Sequence, residues 1–297
     1  MTEGVDPRYR DLDTWNASQT ATAIWESQLA AVAAVGPALP DITLAVEAAA
    51  GRLSGGTGRI VYAGAGTSAR VAVQDGSELG PTFDWPSERI AFLIAGGPSA
   101  LLEPSEGAED DRDDGARQAM QATLGPGDVL IAVAASGRTP FTLAVAQAAR
   151  RQGTLTIGVC NSPGAPLTSA CEFGITVDTG PELLAGSTRM KAGTAQKVVL
   201  NMISTQVMIR MGRVYESYMV EMRPLNDKLR QRAVEMVCQL ARCTPGSASD
   251  ALERTGWSIK AAVLVAGGLE ADEATRRLTS ASGNLRLALE SSEDHGQ

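Results

Sequence analysis

The chain has 297 residues, 44% hydrophobic and 20% charged, enough for one large core or two modest ones. Its net charge of −8, with no basic cluster, argues against nucleic acid and anionic membrane as partners but leaves an anionic small molecule open. One histidine (His295, three residues from the end) and four scattered cysteines (Cys160, Cys171, Cys238 and Cys243) argue against a histidine base, histidine metal ligands or a paired-cysteine metal site.

The N-terminus lacks a charged-then-apolar leader pattern, and no uninterrupted apolar stretch reaches 18 residues, so the cytoplasm is the expected compartment. A polar arm over residues 1–13 precedes a helix capped by Thr14 or Ser18 and running to about residue 35. Pro37 and Pro40 break it, and a second helix covers about 41–53. The run SGGTG at 54–58 is a flexible joint.

Strand and helix then alternate. Apolar runs at 60–63, 90–95, 129–134, 155–159 and 173–177 read as buried strands, with helices at 68–79, in the later part of the acidic segment 103–120, and at 140–151. Repeated helical crossovers imply a parallel sheet covered on both faces. A long helix ending near 211 carries Ala195, Val198, Val199, Met202 and Ile203 on one core-facing stripe. The remainder reads as helical: 225–240, a break at TPGSAS, then short helices from a Ser247 cap through 289. These suggest a three-helix appendage ending in a frayed tail.

The stretch organising the chain is RIVYAGAGTSARVAVQDGSELGPTF at 59–83. After the first strand, Gly64 and Gly66 permit a tight turn, and Thr67 and Ser68 open a helix whose unsatisfied N–H groups favour an anion such as phosphate. Ser136, Gly137, Arg138 and Thr139 form a second strand-to-helix turn, with Thr139 as N-cap and Pro140 at the first helical position. Two such turns at the carboxyl ends of parallel strands converge on one crevice. Either alone is also an ordinary turn; the pair favours a phosphorylated small ligand. GAGTSA approximates a dinucleotide fingerprint, but the second strand ends in Ala95-Gly96-Gly97 without the ribose-binding acid. Glu78 and Glu109 are the carboxylates near this crevice. Glu106, Asp110, Asp111, Asp113 and Asp114 read as surface charge. Residues 186–193, GSTRMKAG, offer hydroxyls and cations at another helix start.

The strings YAGAGTSARVAVQDGSELGPTF, EGAEDDRDDG, AASGRTPF and GSTRMKAGTAQKVVLNMISTQVMIRMGRVY, with the opening TEGVDPRYRDLDT, resemble N-acetylmuramic acid 6-phosphate etherases across about 2–290. The GSTRMKAGTAQK stretch is specific to that family, whereas glycine turns recur in sugar isomerase (SIS) domains. The resemblance implies an α/β fold: a flavodoxin-like, five-stranded parallel SIS sheet sandwiched by helices (55–224), an N-terminal helical arm (1–54) and a small C-terminal helical domain (225–297). It implies a homodimer, catalytic glutamates at Glu78 and Glu109, and phosphosugar contacts at Gly66, Thr67, Ser68, Ser136, Gly137, Arg138 and Thr139. The implied reaction releases D-lactate from the C3 ether of a phosphorylated amino sugar. The chain departs at Ala69, Gly76 and Leu79, where the family usually has Gly, Ala and Cys.

The chemistry suits these residues. In the open-chain sugar, the C1 aldehyde acidifies the C2 proton. Glu109 would remove it, Glu78 would protonate the departing lactyl oxygen and then activate water, and neither metal nor redox cofactor is needed. Three competing readings carry distinct marks. A non-catalytic phosphosugar sensor of the glucokinase-regulator type would not need both glutamates. An aldose–ketose isomerase usually needs a ring-opening histidine. A nicotinamide oxidoreductase needs the missing ribose acid.

Overall fold

The computed structural model describes residues 4–103 and 105–290; residues 1–3, 104 and 291–297, which include His295 and the tail, lie outside the described residues. In chain order the elements are α1 (Ala17–Ala33), α2 (Leu39–Ser54), β1 (Ile60–Gly64), α3 (Gly66–Ser77), α4 (Leu79–Phe83), β2 (Ile90–Ile94), α5 (Arg112–Gln121), β3 (Val129–Val133), α6 (Pro140–Arg151), β4 (Leu155–Cys160), α7 (Pro166–Ala170), β5 (Phe173–Thr176), α8 (Lys191–Arg210), α9 (Asp227–Ala241), α10 (Pro245–Arg254), α11 (Ile259–Ala266), α12 (Ala271–Ser280) and α13 (Leu285–Glu290). Two compact units share this chain. Met1–Ser77 with Ser87–Thr205 forms one; Glu78–Pro86 with Gln206–Gln297 forms the other.

The first unit holds a five-stranded parallel sheet in the order β2-β1-β3-β4-β5. Every residue of β1, β3 and β4 is buried, as expected where helices cover both faces. One face packs Val61, Leu93, Leu130, Phe141, Val145 and Leu167 into a continuous apolar layer. At the amino ends of the strands, Asp128 Oδ1 accepts from Arg59 N (2.8 Å) and Oδ2 from Arg59 Nη2 (2.7 Å), which fixes β1 beside β3. Burial pushes the Asp128 carboxyl up, but the Arg59 hydrogen bonds and charge outweigh it and hold the group below 3.8.

Packing accounts for the glycine at position 76, where the family that the sequence resembles usually has Ala. A Cβ there would lie 2.7 Å from both Phe92 Cε1 and Tyr62 Cε2. These rings stack at 5.7 Å between centroids, so the aromatic pair occupies the room an alanine would need.

Several sequence expectations need correction. Asn16, not Thr14 or Ser18, caps α1: its side chain accepts from Gln19 N while Gln19 Oε1 accepts from Asn16 N. The window within Ala17–Ser54 is apolar enough by length and composition to cross a membrane, with mean hydropathy 1.8. Gly36–Ala38 divides it into helices of 17 and 16 residues, each shorter than the ~20 that span a bilayer. The helix expected over 68–79 spans Gly66–Ser77 instead, and α7 is an additional turn of helix.

Among the described residues five helices follow residue 225 in the second unit, against an expected three-helix appendage, and Thr244, not Ser247, caps α10. Its core joins Ala233, Val237, Leu252, Ala262, Leu264 and Leu285. The excursion Glu78–Pro86 belongs here because Arg213 Nη1 donates to Phe83 O (2.6 Å) and Asp84 O (3.0 Å), and its guanidinium lies over the buried Trp85 ring at 5.1 Å. All four cysteines are free thiols; burial pushes Cys171 up to about 12.

Candidate functional site

The order 2-1-3-4-5 sends the chain in opposite directions from β1 and β3, which are neighbours. Their carboxyl ends therefore open a crevice at the topological switch point. Gly66 takes φ +53° where the chain leaves β1, a conformation glycine adopts without a Cβ penalty. α3 starts at once, and its first N–H groups have no partner within the helix. Thr67 is half-buried and Ser68 buried.

The second turn follows β3. Gly137 N donates to Ala134 O (3.0 Å), and Arg138 N donates to Ser136 Oγ (3.2 Å), which orders the loop before Pro140 opens α6. Arg138 is exposed and supplies a cation at the rim.

Between the turns lies a cavity of about 410 Å³, lined by Gly66, Thr67, Ser68, Glu109, Ser136, Arg138 and Thr139 among others. Seven of the nine residues singled out from the sequence thus share one site. Gly137 does not line it; it is buried, and a Cβ there would lie 2.5 Å from Ala165 Cβ, so it shapes the turn from behind. Glu78 belongs to the other unit, where it is exposed and occupies the N-cap position of α4.

Asp110, Gly186 and Thr188 also line the cavity; the sequence singles out 186–193 as a separate helix start without assigning it to this site, and it misses Asp110. Asp110 was read as surface charge; it is exposed and sits with Glu109 on one 3-10 turn, Ala108–Asp110. Gly186 and Thr188 come from GSTRMKAG, the stretch whose hydroxyls and cations were the available signal. The cavity therefore offers helix-start amides, short hydroxyls and one guanidinium for an anion. It also carries the carboxylates of Glu109 and Asp110; Glu78 is not among its lining residues.

Comparison with known proteins bears on the fold and the family. The glucokinase regulatory protein N-terminal SIS domain matches residues 41–150, and the SIS domain matches residues 108–205. A phosphosugar isomerase described as involved in capsule formation in Bacteroides fragilis superposes with a TM-score of 0.51 at 19% identity, covering 68% of this chain and 95% of its own; the likeness is one of fold. N-acetylmuramic acid 6-phosphate etherase of Deinococcus radiodurans is 48% identical across 97% of this chain and 94% of its own length. The enzyme of that name from Cutibacterium acnes is 42% identical across 97% and 95%. With near-complete coverage at such identity, the chain belongs to the N-acetylmuramic acid 6-phosphate etherase family.

Proposed function

We propose that this protein is an N-acetylmuramic acid 6-phosphate etherase, converting its substrate and water into N-acetylglucosamine 6-phosphate and D-lactate in cell-wall amino sugar recycling. The near-full-length identity to relatives of that name carries the reading. The cavity supports it, because two hydroxyl-bearing turns suit the 6-phosphate and Glu109 lies on the same rim.

As a carbon–oxygen lyase, the enzyme would work on the open-chain sugar. Glu109 takes the C2 proton, the C3–O bond breaks, and the lactyl oxygen receives a proton from Glu78. A C2=C3 double bond conjugated to the aldehyde remains. Water then gives its hydroxyl to C3 and a proton to Glu78, while C2 regains a proton from Glu109. Each carboxyl ends as it began, and each proton transfer is worth about 10²–10⁴-fold.

We further infer a cytoplasmic homodimer. Trp25, Leu29 and Val32 on α1 and Leu44 on α2 are each 47–62% exposed, an apolar surface suited to a second copy. Sedimentation of wild type against Trp25→Glu tests this; a monomeric wild type defeats it.

The assay is incubation with N-acetylmuramic acid 6-phosphate, with D-lactate as readout. Glu109→Gln should lose solvent-deuterium exchange at C2, and Glu78→Gln should retain exchange while losing lactate release. Sugar-phosphate binding without lactate would instead favour a regulator of the glucokinase type.

A further inference from the structure

The chain between β5 and α8 has no regular secondary structure, yet Gly186 and Thr188 within it line the cavity. Fixing an irregular backbone costs about 1–2 kcal/mol per residue, so a wall built this way needs an anchor. The anchor is Glu182, whose side chain is outside the cavity lining and wholly buried. Its Oε2 accepts from Lys191 N (2.8 Å) and its Oε1 from Ala192 N (2.9 Å). These are the first two amides of α8, donors that the helix cannot satisfy itself and that favour a negative partner.

A capping side chain normally adjoins its helix. Here it lies nine and ten residues upstream, so the two bonds close residues 183–190 into a loop. Lys191, 4% exposed, ties the same point from the other side by donating Nζ to Thr179 O at 2.7 Å. Burial lowers the Lys191 pKa, opposed by the Glu182 charge.

Two buried charges are an expensive way to start a helix. A local Ser or Asp cap would satisfy an amide more cheaply. What the charged knot adds is a fixed height for the loop. Gly193 N donates to Thr188 O (2.9 Å), and a Cβ on Gly193 would stand 3.4 Å from Thr67 Cγ2. A shift of the first turn of α8 is therefore transmitted to both the Thr188 wall and the first phosphate turn.

We propose that Glu182, assisted by Lys191, is a positioning residue that holds the 186–188 wall against the Thr67 turn, so that the phosphosugar is gripped from three sides. The inference deepens the etherase reading and rests on it for the choice of substrate.

The test is Glu182→Gln. The amide can accept one of the two N–H groups, while its NH₂ confronts the other. Losing one charge-assisted bond predicts a KM increase of about 10- to 100-fold with kcat within about threefold. Thr188→Val supplies the second arm. If Glu182 acts through this wall, the double variant should bind little worse than the weaker-binding single one. An unchanged KM, fully additive effects, or a fall confined to kcat would overturn the proposal. Should Glu182→Gln fail to fold, Lys191→Met keeps both amide bonds and removes the Thr179 tie together with the ammonium that faces Glu182; a KM rise of about threefold is then expected, and no rise counts against the proposal.

Calorimetry with inorganic phosphate separates the two ideas. A wild type that binds phosphate but releases no D-lactate defeats the etherase reading. A Glu182→Gln variant that is folded and binds phosphate as tightly as wild type defeats this one.

Discussion

Lys191 in the first unit and Lys260 in the second are equally buried, each 4% exposed, yet they are satisfied differently. Lys260 pairs directly with Glu221 and also donates to Gly283 O at 2.5 Å. Lys191 gives its ammonium to a carbonyl, while Glu182 in the same knot is occupied by backbone amides. The Lys260 pair joins the start of α11 to segments distant in sequence and so holds the helical core together. The Lys191 knot fixes a loop that reaches the cavity. Equal burial of equal side chains thus serves stability in one place and the geometry of a site in the other.

The sharpest way to break this comparison is Glu221→Gln. It strands a buried ammonium without its counter-charge, and the loss should approach about 3 kcal/mol in urea denaturation. Lys260→Met should lose less, about 1 kcal/mol, because Glu221 keeps 30% exposure and can turn toward water. D-lactate turnover per folded molecule should stay at the wild-type value in both. A raised KM in either variant would erase the distinction between the two lysines.

Asp128→Asn is the matching control in the first unit. The Arg59–Asp128 contact stands before β1 and β3, at the strand ends away from the cavity. Replacing one carboxylate oxygen by a donor should cost about 1–3 kcal/mol without moving KM. The lowered Asp128 pKa adds a sign. Its contribution is present above the unfolded value of 3.8 and disappears as pH falls through the folded value below it. Wild type should therefore lose its advantage over Asp128→Asn only on the acid side of 3.8, read from Tm against pH. If this variant also raises KM, instability alone explains the Glu182 effect.

How much of this was legible in the sequence depends on the range of the interaction concerned. The strands were readable because full burial demands uninterrupted apolar runs such as those of β1 and β3, and the two turns because glycine and hydroxyl residues carry local signals. Local ambiguity defeated the α1 cap, where Thr14, Asn16 and Ser18 can all cap and only the reciprocal Gln19 contact decides. Long-range partners defeated the rest. The end of α4 is one case: Arg213, 130 residues away from Phe83, takes the carbonyls there. The role of Glu182 depends on amides nine and ten residues downstream, a spacing no capping rule searches. Asp110 looked like surface charge because exposed acids at a helix start usually are; its place on the cavity rim is a tertiary fact.

The smallest expected effect concerns alkaline pH, and it sharpens the comparison most directly. Burial lowers Lys260 from 10.5, with Glu221 opposing. Just below 10.5 the unfolded lysine therefore binds more proton than the folded one, and stability due to this group rises with pH. Tyr62 acts in the opposite sense. Burial, then the Asp75 charge and hydrogen bond, raises its pKa above 10.0, so the unfolded phenol ionises first and stability falls as pH rises. A raw stability curve mixes the two signs; the difference between wild type and Lys260→Met cancels Tyr62 and isolates the lysine. That difference should grow in favour of wild type as pH approaches 10.5 in isothermal urea titrations. A shrinking difference would mean that Glu221 outweighs burial and holds the ammonium charged. The same subtraction with Lys191→Met should also grow, since burial lowers that lysine too. Opposite slopes for the two lysines would show that a direct carboxylate partner, rather than depth of burial, decides how each one titrates.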